Sequence, residues 1–206
     1  TDIFIDSSHR IWVTPFRRTA AYYNPIKDRF ENEDTDPELQ KVELGNTNRG
    51  SVLQYGGIAF CNNLRDFFIY KNGKVTIYKG VMNIKKSFAP ERIIEFRPEK
   101  YLIISPDSVR VFVKNRFTKS FPLQNDFFYS EYFGNALYIA TGNQIKKYRV
   151  DGEGNINLVQ QKTFPFVIRI FCKAGKDLAV ATYNRTTYPV DTATLELKDP
   201  LLYNIA

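Results

Sequence analysis

Five times along this 206-residue chain, an apolar run meets a short polar turn and then a second apolar run. The segments are 2–16 (DIFIDSSHRIWVTPF), 66–80 (DFFIYKNGKVTIYKG), 101–115 (YLIISPDSVRVFVKN), 136–151 (ALYIATGNQIKKYRVD) and 177–191 (DLAVATYNRTTYPVD). Each reads as a β-hairpin. In 109–114 the residues Val109, Val111 and Val113 share one face of a strand, because side chains alternate with period two. The tips are rich in turn formers. Asn72-Gly73 is the strongest short hairpin signal, and Pro106-Asp107 and Gly142-Asn143 also favour reversal. The last four hairpins recur every 35 to 41 residues. That period predicts stacked small sheets rather than one continuous barrel.

Further strand candidates flank these hairpins. Before the last four stand 57–61, 92–96, 127–133 and 167–172, and weaker ones follow at 83–88, 116–123, 156–164 and 194–198. Each unit therefore reads as strand a, hairpin b–c, strand d, which is the blade pattern of a β-propeller. The expectation is an all-β chain: a β-propeller or partial propeller of about five four-stranded blades. Residues 1–206 would form a single domain or a fragment of one; the sole Met is Met82. The first unit starts at its hairpin with no strand a. The apolar tail 200–206 could supply that strand and close a five-bladed ring, or begin another blade. Residues 24–49 are polar and read as an acidic flexible insertion, too poor in apolar residues to order itself.

Charge is uneven. The net value is +7, yet 24–44 holds seven acids and three bases, leaving a strongly basic remainder. A basic body attracts nucleic acid, anionic lipid or an acidic partner. No apolar run is long enough to cross a membrane as a helix. Cys61 and Cys172 lie in apolar runs and read as buried free thiols, which points to an intracellular, cytoplasmic or nuclear protein. Asn184-Arg185-Thr186 is a glycosylation sequon, so secretion stays open.

Residues 101–112 and 137–148 resemble the turn region of WD40-type propellers, where a strand passes through a short polar turn into a strand ending in an aromatic. The resemblance is to a divergent member. No Gly-His pair precedes a blade, no Trp-Asp pair ends a strand, and Trp12 is followed by Val13. Kelch-type double glycine occurs once, at Gly56-Gly57. The resemblance implies a rigid platform for protein contacts without catalysis of its own.

Chemistry-bearing residues are few. His9, the sole histidine, sits at a hairpin tip, so a Ser-His-Asp set or a histidine-rich metal site finds no support. Propeller glycosidases need converging carboxylates; the candidates are Asp66, Glu95, Asp107, Glu131 and Asp177, with Glu95 and Glu131 on inner-strand candidates. Phe16-Arg17-Arg18-Thr19 is similar to the Phe-Arg-Arg-Gly motif of phosphoinositide-binding propellers, with Thr in place of Gly. There is no phosphate-binding loop and no cofactor motif.

The residues read as partner-binding form two sets. One is a basic rim: Lys85, Lys86, Arg110, Lys114, Arg116, Lys146, Lys147 and Arg149. The other is an acidic docking arm: Glu31, Glu33, Asp34 and Asp36. The leading expectation is a non-enzymatic scaffold with protein partners in a larger intracellular assembly and no small-molecule substrate. Nucleic-acid binding along the basic rim is the second reading. A carbohydrate-binding or glycoside-cleaving propeller is the third.

Overall fold

Alternating strands separated by tight turns can only bury their apolar faces by packing sheet on sheet. The computed structural model describes residues 3–6, 8–14, 20–42, 47–62, 66–79, 92–105, 107–123, 129–174 and 177–201. It shows five successive antiparallel sheets, the blades of an all-β propeller. Three lie in one compact unit, Thr1–Leu123, and two in another, Gln124–Ala206.

In the first unit, sheet 1 is β1 (Ile3–Ile5), β2 (Ile11–Val13), β3 (Ala21–Asn24) and β4 (Arg29–Glu31). Sheet 2 is β5 (Thr47–Val52), β6 (Ile58–Asn62), β7 (Phe67–Lys71) and β8 (Lys74–Tyr78). Sheet 3 is β9 (Arg92–Arg97), β10 (Lys100–Ser105), β11 (Ser108–Val113) and β12 (Arg116–Pro122). Each strand pairs with its neighbour in chain order, and β5 lies beside both β1 and β9. Sheets 1 and 2 meet through Trp12, Tyr22, Phe60 and Tyr70, with ring centroids 4.8 to 5.8 Å apart. Sheets 2 and 3 meet through Phe67, Ile69, Tyr101, Ile103 and Phe112.

In the second unit, sheet 4 is β13 (Tyr129–Phe133), β14 (Ala136–Thr141), β15 (Gln144–Val150) and β16 (Ile156–Thr163). Sheet 5 is β17 (Ile170–Ala174), β18 (Asp177–Ala181) and β19 (Thr187–Val190). Where a fourth strand was expected at 194–198, single bridges join Leu197 to Val190 and Leu201 to Thr187. The core of this unit joins Tyr138, Ala140 and Ile145 to Phe171, Leu178 and Val180.

Two boundaries differ from the sequence reading. The first blade is complete by itself: its hairpin is strands a and b, β3 follows just before the 24–49 stretch expected as a flexible insertion, and β4 lies inside it. No tail strand is needed there, and 202–206 lie outside the described residues. In the second blade, the first strand is β5, so 58–62 is the second strand and the 66–80 hairpin supplies the third and fourth. The sequence hid β5 because it is poor in apolar side chains. A Cβ on Gly50 would stand 2.3 Å from the Phe4 ring, so the space a side chain would fill is already taken by sheet 1. The expected strand 83–88 lies outside the described residues.

The acidic stretch is built, not loose. Leu39 and Val42 are buried against Trp12, Phe60 and Tyr70, with a 3-10 turn over Leu39–Lys41. Asp36 accepts hydrogen bonds from the hydroxyls of Tyr22 (3.0 Å) and Tyr70 (3.2 Å), and Glu38 accepts one from the Val75 amide (2.9 Å). Composition alone hides these donors, because Tyr70 is 34 residues from Asp36.

Asp6 closes the first hairpin from inside. It accepts from the amides of Ser8 (2.8 Å) and Arg10 (3.0 Å), from Arg10 Nε (2.8 Å) and from Trp12 Nε1 (2.8 Å). Burial pushes its carboxyl up, but the bonds from Trp12 and Arg10 outweigh that and leave it below the ordinary carboxylate value. A carboxyl whose folded pKa lies below its unfolded value of about 3.9 stabilises fully above that value. The stabilisation fades as pH falls through the lower folded pKa. Asp6→Asn is therefore expected to lower the urea midpoint at neutral pH and to flatten its fall below pH about 4. An unchanged acid limb would show that Asp6 does not contribute it.

Candidate partner-binding cleft between the second and third sheets

The β9–β10 and β11–β12 turns reverse at the same end of sheet 3. The second is a two-residue turn with both central residues left-handed, Lys114 at φ 49° and Asn115 at φ 62°. That is the geometry that matches the twist of flanking strands. Asparagine tolerates it readily; a lysine there carries strain of about 1 kcal/mol. At the first turn Glu99 is also left-handed, at φ 58°. Its amide donates to Glu95 Oε1 at 3.2 Å.

Between these turns and β8 of sheet 2 lies a cavity of about 340 Å³. Thr76, Tyr78, Tyr101, Phe112, Glu99 and Lys114 are among the residues lining it. Its apolar wall is fixed from behind. Tyr101 and Phe112 are buried; Phe67 stacks on Tyr78 at 4.4 Å and meets Phe112 edge-on at 4.8 Å. Burial raises the Tyr78 hydroxyl, with the Glu99 charge adding to it; burial likewise raises Tyr101, with Glu95 adding most among the charges. Both phenols are neutral hydrogen-bonding groups at any physiological pH.

Strand register aligns several cations at this end of sheet 3. Lys100 pairs with Arg97 on one side and Val113 on the other, and Val113 pairs with Arg116. Arg97, Lys100 and Arg116 thus lie in one row across the end of the sheet, on the face opposite the Tyr101–Phe112 pair, with Lys114 in the adjoining turn. Among the described residues, neither Lys114 nor Arg116 has an acidic partner. Glu99 is the carboxylate that lines the cleft.

The structure gathers some of the expected basic residues and separates others. Lys114 lines the cleft, and Arg116 lies two residues on, on the face of the sheet opposite Phe112. Arg110 is near the opposite end of β11, about 13 Å away at the strand rise. There its Nε donates to Ser108 Oγ (3.2 Å), and its guanidinium lies 3.8 Å from Asp107 and 5.9 Å over the Phe117 ring. In the second unit, Lys146 pairs with Ile139 and Lys147 with Tyr138, so the two lysines point to opposite faces of sheet 4. Lys147 is committed inside its unit, donating to the Thr192 carbonyl at 2.6 Å. Arg149 is exposed. Lys85, Lys86 and the 16–19 motif lie outside the described residues.

The acidic set is mostly internal. Glu31 is 1% exposed and pairs with Lys27 at 2.9 Å; that bond leads in holding its carboxyl down to about 2. Glu33 and Asp36 are buried, while Asp34 is exposed in the turn, where its amide donates to Asn32 Oδ1. A free docking arm is not what these side chains form.

The carboxylates weighed for catalysis are held by their own surroundings. Glu95 is 1% exposed; its Oε2 accepts from the Tyr55 amide at 3.1 Å, and Lys71 Nζ lies 3.9 Å from Oε1. Asp107 accepts from Ser108 Oγ, and Asp177 pairs with Lys198 at 3.2 Å. Asp66 and Glu131 are buried. His9 is exposed in its turn, its amide bonded to the Asp6 carbonyl at 3.0 Å. Both cysteines are free. Cys61 is buried, and burial raises its thiol; Cys172 is exposed, contrary to expectation, because alternation along β17 turns Phe171 inward and its neighbour out. No group of three or more His, Cys, Asp or Glu among the described residues is placed to hold a metal ion. No helix among them is long and apolar enough to cross a membrane.

No family model matches the sequence, and no curated protein matches it. Solved structures do match. The β-propeller domain of Myceliophteria thermophila Cps50 (Swd1) aligns with a TM-score of 0.72 at 9% identity, covering 98% of this chain and 72% of that one. A catalytically inactive virginiamycin B lyase from Staphylococcus aureus, solved with quinupristin, aligns with a TM-score of 0.65 at 14% identity, covering 98% and 69%. The WD40 domain of Neurospora crassa Pan2 gives 0.57 at 10% identity, covering 80% and 51%. The chain thus spans about half the length of the Pan2 chain. At these identities the likeness is one of fold: the β-propeller.

Proposed function

We propose that this propeller is a non-enzymatic protein-interaction scaffold, and that the cleft between sheets 2 and 3 is its contact site. The observation that carries the reading is a preformed cavity of about 340 Å³ whose aromatic residues are held in place by Phe67, with Lys100 and Lys114 among its lining residues. Such a site binds without the ordering penalty that a flexible segment incurs. Similarity to WD40 propellers supports it. The virginiamycin B lyase shares the fold and is an enzyme, so the fold alone does not exclude catalysis. What favours a scaffold is that Glu95, Asp107 and Asp177 are each engaged by local amides, hydroxyls or lysines. A nucleic-acid rim is less favoured because Arg110 and Lys147 are engaged and Lys146 faces away from Lys147.

The test is quantitative capture from the cells that make the protein, comparing wild type with Lys114→Glu/Arg116→Glu and with Arg149→Glu. A defined set of proteins should fall roughly tenfold with the double variant and persist with Arg149→Glu. The same protein set for wild type and the double variant would rule the cleft out as the contact site. Loss with Arg149→Glu alone would move the site to sheet 4.

A further inference from the structure

We infer that the outer face of sheet 1 is a self-association surface, whose occupant is a second copy of this chain packed face to face about a two-fold axis. Strand register defines the face. Ile3 pairs with Val13 and Ile5 with Ile11, Val13 pairs with Ala21, and Tyr23 pairs with Phe30. Side chains paired across an antiparallel ladder share a face, and alternation along each strand brings these seven together. The other face carries Phe4, Trp12 and Tyr22 and packs on sheet 2. The outer face is therefore separate from the cleft between sheets 2 and 3.

All seven side chains are apolar or aromatic, and four stand well out in solvent: Ile3 is 72% exposed, Ile5 60%, Ile11 41% and Phe30 47%. Ile26, in the turn joining β3 to β4, is almost wholly exposed. Soluble proteins scatter such residues singly, and a contiguous group marks an interaction surface. At about 150 to 200 Å² for a fully exposed side chain of this size, the patch offers on the order of 500 Å². Two copies would bury about 1,000 Å² in all, the level at which specific but weak association begins.

Charge decides what fits. Among the described residues no charged side chain lies on this face, and the charges beside it are engaged. Lys27 and Arg29 pair with Glu31, Arg10 pairs with Asp6, and Asp28 accepts from the Tyr23 hydroxyl. That arrangement does not select an anionic lipid, a nucleic acid or a charged peptide. An uncharged face is complementary to itself. A two-fold copy brings apolar side chains together there and no like charges, although each chain carries +7. Sheet-on-sheet packing already covers the opposite side of sheet 1 within the molecule.

Sedimentation velocity of the full chain between about 1 and 500 μM is the test. Monomer should give way to dimer within that range. Ile5→Lys/Ile11→Lys should raise the midpoint roughly tenfold or more. Ile3→Ser/Ile5→Ser removes apolar surface without adding charge and should raise it by a smaller factor; it takes over if circular dichroism shows the lysine variant unfolded. Leu158→Lys/Val159→Lys, at exposed apolar positions of sheet 4, should leave the midpoint unchanged. Monomer at every concentration overturns the inference. So does a dimer that persists in both sheet 1 variants, or one that is lost with Leu158→Lys/Val159→Lys.

Discussion

Trp12→Ala should destabilise the first unit by about 3 to 5 kcal/mol, the range for truncating a fully buried aromatic. Trp12 is 0% exposed. Its ring lies 4.8 Å from Tyr22, 5.6 Å from Phe60 and 5.1 Å from Tyr70, and the Arg10 guanidinium sits 5.4 Å over it. Its Nε1 donates to the buried carboxylate of Asp6 at 2.8 Å. Truncation would open a cavity between sheets 1 and 2 and remove a donor from a buried charge. Trp12→Phe separates the two effects. It keeps most of the packing and loses the hydrogen bond, so about 1.5 to 3 kcal/mol is expected. Because Trp12 is the sole tryptophan, unfolding is best followed by far-ultraviolet circular dichroism in urea. A loss below about 1 kcal/mol for the alanine variant would mean that sheets 1 and 2 do not pack through this residue.

Gly57→Ala carries the second large effect. Gly57 turns the chain from β5 into β6 at φ +87°, where an L side chain is strained by about 1 to 2 kcal/mol. A Cβ there would also meet the Tyr70 carbonyl oxygen at 2.6 Å, and a backbone atom within β7 cannot swing aside. Overpacking of this kind adds about 1 to 3 kcal/mol. Gly73→Ala is the reference: it has φ +71° in the same sheet, but nothing lies within 4 Å of its added Cβ. The shift in urea midpoint should be clearly larger for Gly57→Ala. Equal shifts would leave conformational strain alone and remove the close approach of β7.

The long apolar hairpins were legible because nothing in them conflicts. In β10–β11 and β14–β15, alternation and turn chemistry agree, and both pair as read. What escaped were short polar strands made stable by their neighbours. β4 is Arg-Phe-Glu, whose acid is satisfied by Lys27, and β5 contains the glycine that makes room for Phe4. Both were folded into a supposed acidic loop, because composition reports what a segment lacks and not what reaches it. For the same reason the blade boundary in sheet 2 came out one strand late.

The cleft was half visible. Lys114 and Arg116 were named from their own hairpin. Lys100 and Tyr101 join Lys114 there from the neighbouring strand, and Tyr78 arrives from another sheet. Counting register back from the 106–107 turn would have set Lys100 opposite Val113. No local pattern announces the contact with β8. Lys146 and Lys147 show the reverse error: adjacency in sequence suggested a cluster, while period two alone sends them to opposite faces.

The central claim is that a partner segment enters between sheets 2 and 3. Backbone hydrogen exchange on the full chain, with and without a saturating amount of a protein that it captures from its cells, tests it most directly. Slower exchange is expected at 74–79, 97–101 and 112–117, with 144–150 unchanged. Protection confined to 144–150, or none at the three cleft segments, would contradict it.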